Sequence, residues 1–281
     1  MKPGSGSRTA VLVCMARAVA HGTTPVKAFS DPTALVLLPE EARASVEAYQ
    51  AGGAPKTGRE RIRRAILEKR ATMMVARTVA IDDVVRAAAA PQVVILGAGL
   101  DGRAWRMPEL RDAVVFEIDH PDTQRDKKAH VHQLTQSAHE VRFVPVDFTR
   151  DDLDASLAGA GHEPSRPTTW IWEGVVMYLT QQEAEASLAV IERRSCAGSH
   201  LTIAYTSPSP LRWIIGLLLR RIGEPLRSSF TADAMRALLG RYGFEVVKDE
   251  DVVTVARALS LEVAGAGQAM RHLRIVNAER R

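Results

Sequence analysis

Apolar residues follow two different periods along the chain, and the change falls near residue 90. Within residues 59–90 they recur at the spacing of one helix face, at Ile62, Ile66, Met73, Met74, Ile81, Val84, Val85 and Ala88. This spacing predicts a long helix with Met73 and Met74 in the core. The glycine-rich stretch 51–58 predicts a loop that divides the helical region. We therefore assign residues 1–89 to an N-terminal helical cap.

Beyond residue 90, short runs of β-branched and aromatic residues alternate with helical segments, which is typical of an α/β fold with a parallel sheet. The first five candidate strands are 92–97, 113–118, 141–146, 168–173 and 199–206, and two more lie near 243–250 and 271–279. Thr180 and Glu183 form a capping-box pattern that predicts the start of a helix. Residues 90–281 are thus expected to form the core, with a Pro-bounded lid insertion at 207–229.

Composition narrows the possible partners. The chain has 281 residues, 46% of them hydrophobic and 25% charged, as in soluble globular proteins. Its net charge of +4 comes mainly from arginines scattered along helical segments, and only 5% of residues are aromatic. Because nucleic-acid binding favours aromatic residues among the basic ones, we expect no nucleic-acid partner. The apolar stretch 213–219 is far shorter than the roughly 20 residues of a membrane span, so no membrane partner is expected.

Cysteine usage and the N-terminal segment favour a cytoplasmic location. Cys14 and Cys196 lie far apart, without disulfide-scaffold density or metal-ligand spacing. No cluster of histidines and carboxylates has ligand spacing either, and no metal is predicted. The apolar run 10–16 is barely long enough for a signal sequence, and Arg17 ends it.

A glycine-rich loop follows the first candidate strand. Gly97, Gly99 and Gly102 form a G-x-G-x-x-G pattern, which lets backbone approach a ligand beside a helix N-terminus. Asp119 lies 20 residues beyond Gly99, at the end of the second strand, where an acid can accept hydrogen bonds from ribose hydroxyls. The loop and this acid predict an adenosine-bearing cofactor. They do not separate a nicotinamide dinucleotide from S-adenosyl-L-methionine.

Further features favour S-adenosyl-L-methionine. Asp101, inside the loop, would repel a pyrophosphate but favour an ammonium or sulfonium group. About 90 residues precede the loop, and Pro108 cuts the following helix short. The next two strands also end in acids, Asp147 with Phe148, which could contact adenine, and Glu173. An NAD(P)-dependent oxidoreductase and a non-catalytic cofactor-binding protein remain open alternatives.

Eight short segments resemble the leucine carboxyl methyltransferase-like enzymes, which include bacterial O-methyltransferases of polyketide and other secondary metabolism. In the order found in that family they are SRTA (7–10), FSDPTA (29–34), ARTVAIDD (76–83), LGAGLDGRAWR (96–106), FEIDHP (116–121), VPVDF (144–148), EGVVMYL (173–179) and GEP (223–225). The resemblance therefore covers most of the chain.

The resemblance implies a class I, Rossmann-like methyltransferase fold: a seven-stranded, mostly parallel sheet with helices on both faces. It assigns Arg77 to the methionine carboxylate, Asp119 to the ribose, and Asp147 with Phe148 to the adenine. Gly97 would contact the methionine part and Glu173 would lie next to the donor. The complete expected cofactor-binding set is Arg77, Gly97, Gly99, Asp101, Asp119, Asp147, Phe148 and Glu173. Where the family usually has threonine or serine, this chain has Gly102, which we expect to loosen the loop without removing the assigned contacts.

The predicted function is transfer of a methyl group from S-adenosyl-L-methionine to an oxygen of a hydrophobic small molecule, by a monomer or homodimer. A carboxylate acceptor needs no base, whereas a hydroxyl acceptor needs one within hydrogen-bond reach. Tyr178, His200 and Tyr205, near the ends of the fourth and fifth strands, are candidates for that base. Together with Glu173 beside the donor, Tyr178 and Tyr205 form the candidate catalytic set.

Overall fold

A seven-stranded sheet organises the protein, whose computed structural model describes residues 7–52, 57–148, 150–209, 226–263 and 270–281. The strands are β1 (Gln92–Leu96), β2 (Val114–Asp119), β3 (Glu140–Pro145), β4 (Thr168–Glu173), β5 (His200–Thr206), β6 (Phe244–Asp251) and β7 (Leu273–Arg280). The first five lie within one residue of their predicted bounds. They are parallel, and β7 runs antiparallel between β5 and β6. The predicted seven-stranded, mostly parallel α/β fold is confirmed.

Helices surround this sheet. They are α1 (Arg8–Ala20), α2 (Thr33–Leu37), α3 (Glu40–Gln50), α4 (Gly58–Ala88), α5 (Arg103–Arg106), α6 (Pro121–Val131), α7 (Leu153–Gly159), α8 (Gln181–Arg193), α9 (Ala232–Arg241) and α10 (Val252–Ala258). As predicted, Thr180 and Glu183 form a capping box at the start of α8, and Pro108 follows a helix of only four residues. None of the described helices is long and apolar enough to cross a bilayer.

The order of the strands is β3-β2-β1-β4-β5-β7-β6. The chain therefore moves outward from β1 to β2 and β3, then returns to place β4 on the other side of β1. In open α/β sheets, such a reversal opens a crevice at the carboxyl ends of the strands, where ligands bind. The loop after β1 and the end of β4 face this crevice.

The N-terminal helices cover one face of the sheet. The long helix α4 has 31 residues, and Met73 and Met74 are buried in it, as the periodicity predicts. They share one hydrophobic cluster with Val93 and Ile95 of β1. The helical region thus packs directly on the sheet, while its predicted role as a substrate cover stays a prediction. Of the predicted lid 207–229, residues 210–225 lie outside the described residues, and with them the apolar stretch 213–219 and the GEP segment.

On the other face, a second cluster contains Trp170 and Trp172 of β4, both fully buried. Trp170 Nε1 donates a hydrogen bond to Ser195 Oγ at 2.8 Å. These tryptophans pack in the core.

A buried histidine, His162, lies near the amino end of β4 on the same face of the sheet. The His162 ring contacts the Phe116 ring at 5.5 Å between centroids, and its Nε2 lies 3.0 Å from Thr168 Oγ1. Burial, aided by the nearby charge of Arg194, lowers the pKa of His162 to about 4. The folded protein therefore keeps this imidazole neutral in a range where an unfolded chain protonates it.

We expect this histidine to make folding less stable as the solution becomes acidic. Between its ordinary pKa of 6.5 and about 4, the unfolded chain binds a proton that the folded protein does not. The free energy of unfolding should fall over this window, by at most about 1.4 kcal/mol per pH unit from one group. His162→Gln should make this fall shallower, as measured by chemical denaturation at several pH values.

The matched control is His132→Gln, at an exposed position that lies in water in both states. It should keep the wild-type slope. Equal slopes for His162→Gln and the wild type would contradict the assignment.

Candidate functional site

A cavity of about 470 Å³ lies in the crevice at the carboxyl ends of β1 to β4. Its volume is within the roughly 300–1,000 Å³ range of small-molecule sites. The cavity brings together the whole predicted cofactor-binding set and two of the three catalytic candidates, Glu173 and Tyr178: Arg77, Gly97, Gly99, Asp101, Asp119, Asp147, Phe148, Glu173 and Tyr178. Four strand ends and helix α4 thus contribute to one site, and the individual roles of these residues stay predictions.

The glycine loop begins with a backbone conformation that favours glycine. Gly97 and Gly99 have φ angles of 68° and 50°. The amides of Gly97 and Ala98 both donate to the carbonyl of Ile118, at 2.8 and 3.0 Å. A Cβ on Gly97 would lie 2.1 Å from Val175 Cγ2. The loop is therefore held against the end of β2, and Gly97 has no room for a side chain.

Asp119 connects this loop to β2. One carboxylate oxygen accepts from the Gly99 amide, and the other accepts from the His120 amide at 2.6 Å. Burial raises the pKa of Asp119, while these two backbone donors oppose the rise. Each carboxylate oxygen retains a further acceptor position. Asp119 also lines the cavity, so it can accept hydrogen bonds from a pair of ligand hydroxyls.

Glu173, at the end of β4, is held by two arginines. Its Oε1 lies 2.7 Å from Arg77 Nε, and its Oε2 accepts from Arg103 Nη1 at 2.8 Å. Burial alone would raise the pKa of the Glu173 carboxyl, but Arg77 and Arg103 outweigh it and hold the pKa well below its usual range. Glu173 is therefore an anion suited to electrostatic contact rather than to accepting a proton.

The charge of Asp101 is balanced within the protein. The carboxylate accepts from the Arg103 backbone amide at 2.7 Å and also from the Arg103 guanidinium. The sequence interpretation treated this acid as a free charge that repels pyrophosphate. Since Asp101 is paired with Arg103, it discriminates less between cofactors by itself than the sequence indicates.

The residues predicted to contact adenine lie just after β3. Asp147 and Phe148 line the cavity, and Phe148 also packs against the second hydrophobic cluster. The Asp147 amide donates to Asp151 Oδ2 at 2.8 Å, which fixes the backbone at this turn. His120, the neighbour of Asp119, caps helix α6 by accepting from the Asp122 amide.

Sequence reasoning missed Arg17 as a cavity residue. Its side chain is buried in α1, donates to the carbonyl of Leu100 and lies 3.4 Å from Asp31 Oδ2. It lines the cavity opposite the sheet. The signal in the sequence is one arginine within the otherwise apolar stretch 10–20, which we interpreted as the end of an apolar run.

Two of the candidate bases lie elsewhere. The Tyr205 hydroxyl donates to Asp249 Oδ2 at 2.7 Å and accepts from Arg274 Nε at 3.0 Å, and the ring is buried in the second cluster. Burial, together with Asp249, raises the pKa of Tyr205. His200 is the first residue of β5 and so lies at the amino end of the strand, whereas the cavity lies at the carboxyl ends. The expectation that these two side chains face the site is not met, because a position near a strand end specifies neither the edge nor the direction of the side chain.

Tyr178 remains as the candidate base that lines the cavity. It ends a 3-10 turn, Val176–Tyr178, directly after β4. Apolar side chains of Val13, Met177 and Leu273 line the cavity with it. Within the described parts of the chain, no group of three histidine, cysteine or acidic side chains could hold a metal ion.

Comparison with known proteins identifies a matching family and related sequences. The family model for leucine carboxyl methyltransferase matches residues 10–192. A protein of Mycolicibacterium gilvum with the curated name "Putative S-adenosyl-L-methionine-dependent methyltransferase" is 39% identical over 158 residues, covering 55% of this chain and 50% of that protein. The chain thus spans about half the length of the curated relatives it matches.

Solved structures share the fold. A Thermobifida fusca protein described as "a putative methyltransferase" superposes with a TM-score of 0.60 and 14% identity, covering 100% of this chain and 96% of the other. A DUF574 family protein from Streptomyces avermitilis gives a TM-score of 0.58 and 15% identity, covering 99% and 98%. At these identities the comparison shows the fold alone.

The last glycine of the loop is tightly packed rather than loose. Gly102 has an ordinary φ of −107°, but a Cβ there would lie 1.8 Å from Thr33 Oγ1. Thr33, at the start of α2, donates from this hydroxyl to Asp31 Oδ1 at 2.6 Å. The expectation that Gly102 loosens the loop is wrong, because Thr33 fills the space that a side chain at position 102 would need.

We expect Gly102→Ala to lower the free energy of unfolding by about 1–3 kcal/mol, since the added methyl overlaps Thr33. Combining it with Thr33→Ala should recover part of this loss, because the closest clashing atom is then absent. A double-mutant cycle by chemical denaturation measures the coupling. Strictly additive losses would show that the two positions do not compete for the same space.

Proposed function

The chain belongs to the leucine carboxyl methyltransferase family, and we propose that it transfers a methyl group from S-adenosyl-L-methionine to an oxygen of a hydrophobic small molecule. One observation carries the proposal: a single cavity collects the glycine loop, Asp119, Asp147, Phe148 and Glu173 from the ends of four neighbouring strands. The resemblance to O-methyltransferases of secondary metabolism supports an acceptor of that origin.

The residues present fit an adenosine with an amino-acid tail. Asp119 presents acceptors for two hydroxyls, and Phe148 offers an aromatic face. Arg77 Nε is buried and, among the described residues, has no hydrogen-bond acceptor, so a ligand carboxylate can supply one. Glu173 is the matching anion for an ammonium group. The donor and acceptor set suits a zwitterionic tail, for which a nicotinamide dinucleotide has no equivalent.

S-adenosyl-L-methionine, when bound, supplies a methyl group on a positively charged sulfur. The chain's own residues orient the reactants: Arg77 and Glu173 hold the amino-acid part, and Asp119 holds the ribose. Methyl transfer is an in-line displacement, so catalysis comes mainly from holding the reacting atoms in line at about 3–3.5 Å. Val13, Met177 and Leu273 make that part of the cavity apolar, which limits access of water.

The proposed acceptor is a carboxylate or a hydroxyl. A carboxylate is already an anion, and the site then needs to supply no base. A hydroxyl acceptor would use Tyr178, whose position in the lining supports this role over Tyr205. Replacing Tyr178 by phenylalanine separates the two cases: transfer to a carboxylate should persist, whereas transfer to a hydroxyl should fall.

Calorimetric titration and a labelled-methyl assay test the proposed function. We expect the protein to bind S-adenosyl-L-methionine and its demethylated product, S-adenosylhomocysteine, and to bind NAD weakly or not at all. A panel of hydrophobic carboxylic acids, phenols and alcohols should contain a methylated acceptor. Tight binding of NAD without a response to the methyl donor would favour the oxidoreductase. Cofactor binding with no transfer across the panel would favour a non-catalytic binding protein.

We expect Asp119→Ala to weaken S-adenosylhomocysteine binding by on the order of 100-fold, since hydrogen bonds to a charged acceptor are lost in a partly buried site. The matched control is Asp122→Ala, which removes an acid three residues away that does not line the cavity. It should bind with wild-type affinity. Unchanged affinity in Asp119→Ala would mean that the ribose assignment is wrong.

A further inference from the structure

Arg103 and Arg77 both contact Glu173, but they lie on different sides of it. Arg77 lines the cavity, whereas Arg103 is fully buried and lies behind the lining residues. Arg103 contacts the carboxylates of Asp82 in α4, Asp101 in the glycine loop and Glu173 in β4. It therefore joins three segments that are distant in the sequence.

The two arginines also bind Glu173 with different geometry. Arg103 Nη1 donates a well-formed hydrogen bond to Oε2 at 2.8 Å, and Arg103 Nε donates to Asp82 Oδ1 at 2.8 Å. Arg77 Nε lies 2.7 Å from Oε1, yet this N–H has no hydrogen-bond acceptor within the described part of the chain. Its N–H is thus not directed at the carboxylate. Arg77 therefore holds Glu173 by charge without a directed hydrogen bond, whereas Arg103 combines its charge with a hydrogen bond that fixes the carboxylate's orientation.

We propose that Arg103 is a positioning residue that keeps Glu173 fixed and charge-balanced, so that Arg77 is released to pair with the carboxylate of the bound cofactor. The inference rests on the proposed function. If Arg77 were the only partner of Glu173, its transfer to a ligand would leave a buried carboxylate unpaired, which is strongly disfavoured. Arg103 removes that obstacle.

The charges of the surrounding cluster support this exchange. Arg106 pairs with Asp82 through two hydrogen bonds of 2.7 and 2.9 Å and stays outside the cavity lining. Arg17 and Asp31 belong to the same cluster. Without Arg77, its four described acids (Asp31, Asp82, Asp101 and Glu173) face its three described arginines (Arg17, Arg103 and Arg106). The cluster then has one excess negative charge beside the cavity, which matches a ligand ammonium. The ligand carboxylate and Arg77 form the complementary pair.

Binding of two ligands distinguishes a positioning role of Arg103 from a general loss of structure. S-adenosylhomocysteine has the amino-acid tail, whereas 5′-methylthioadenosine has the adenosine part without it. Arg103→Lys keeps the charge but cannot reach three carboxylates with a planar fork. We expect it to weaken S-adenosylhomocysteine binding about tenfold or more and to leave 5′-methylthioadenosine binding within about twofold. Arg106→Lys is the matched control, because it also replaces a buried guanidinium that pairs with Asp82. It should change neither affinity by more than about threefold.

Calorimetry gives the affinities, and thermal unfolding reports the stability of each variant. An equal loss for both ligands in Arg103→Lys would overturn the proposal in favour of a purely structural role, and so would unchanged affinity for both. A wild-type protein that binds neither ligand would instead overturn the proposed function, and this inference with it.

A measurement on the wild-type protein does not depend on the folding of Arg103→Lys. In protein labelled with ¹⁵N-arginine, the Arg77 Nε–H resonance is assigned by its loss in Arg77→Lys. We expect it to shift when S-adenosylhomocysteine is added and to stay in place with 5′-methylthioadenosine, because only the former draws Arg77 away from Glu173. An Arg77 resonance that does not respond to S-adenosylhomocysteine would overturn the exchange.

Discussion

Around the buried guanidinium of Arg103 lie carboxylates from a helix, a loop and a strand: Asp82, Asp101 and Glu173. Buried charges are costly unless they are paired and hydrogen-bonded, so each of these groups restricts where the others can be. Helix α4, the glycine loop and the end of β4 are consequently tied at one point. The ion pair between Arg103 and Asp82 also positions α4 so that Arg77, five residues before Asp82, lies at the cavity.

The sheet supplies the second constraint. Because β4 returns to the side of β1 opposite β2, the loop after β1 faces a crevice with acids on both sides. Asp119 accepts from the Gly99 amide and so connects the loop to β2, while Glu173 connects β4 to α4. The site is therefore formed by contacts between elements rather than by any one motif.

Much of the fold follows from local patterns. Runs of β-branched residues predict the five parallel strands within one residue, because a strand buried on both faces requires such runs. Acids at the ends of β2, β3 and β4 predict where the cavity lies, because carboxyl ends of parallel strands meet at one edge. The same reasoning does not separate Tyr178 from Tyr205: both lie near strand ends, yet one lines the cavity and the other packs against Asp249.

The sequence by itself determined the order of helices and strands, the glycine loop and the acids that surround the cavity, since these depend on residues close together in the chain. Only the tertiary structure decided that Asp101 shares Arg103 with Asp82 and Glu173, that Arg17 reaches the cavity and that Thr33 fills the space beside Gly102. Each of those outcomes depends on a partner supplied by a different element. Periodicity reports which face of an element is buried, but not which charged or bulky group of another element lies against it.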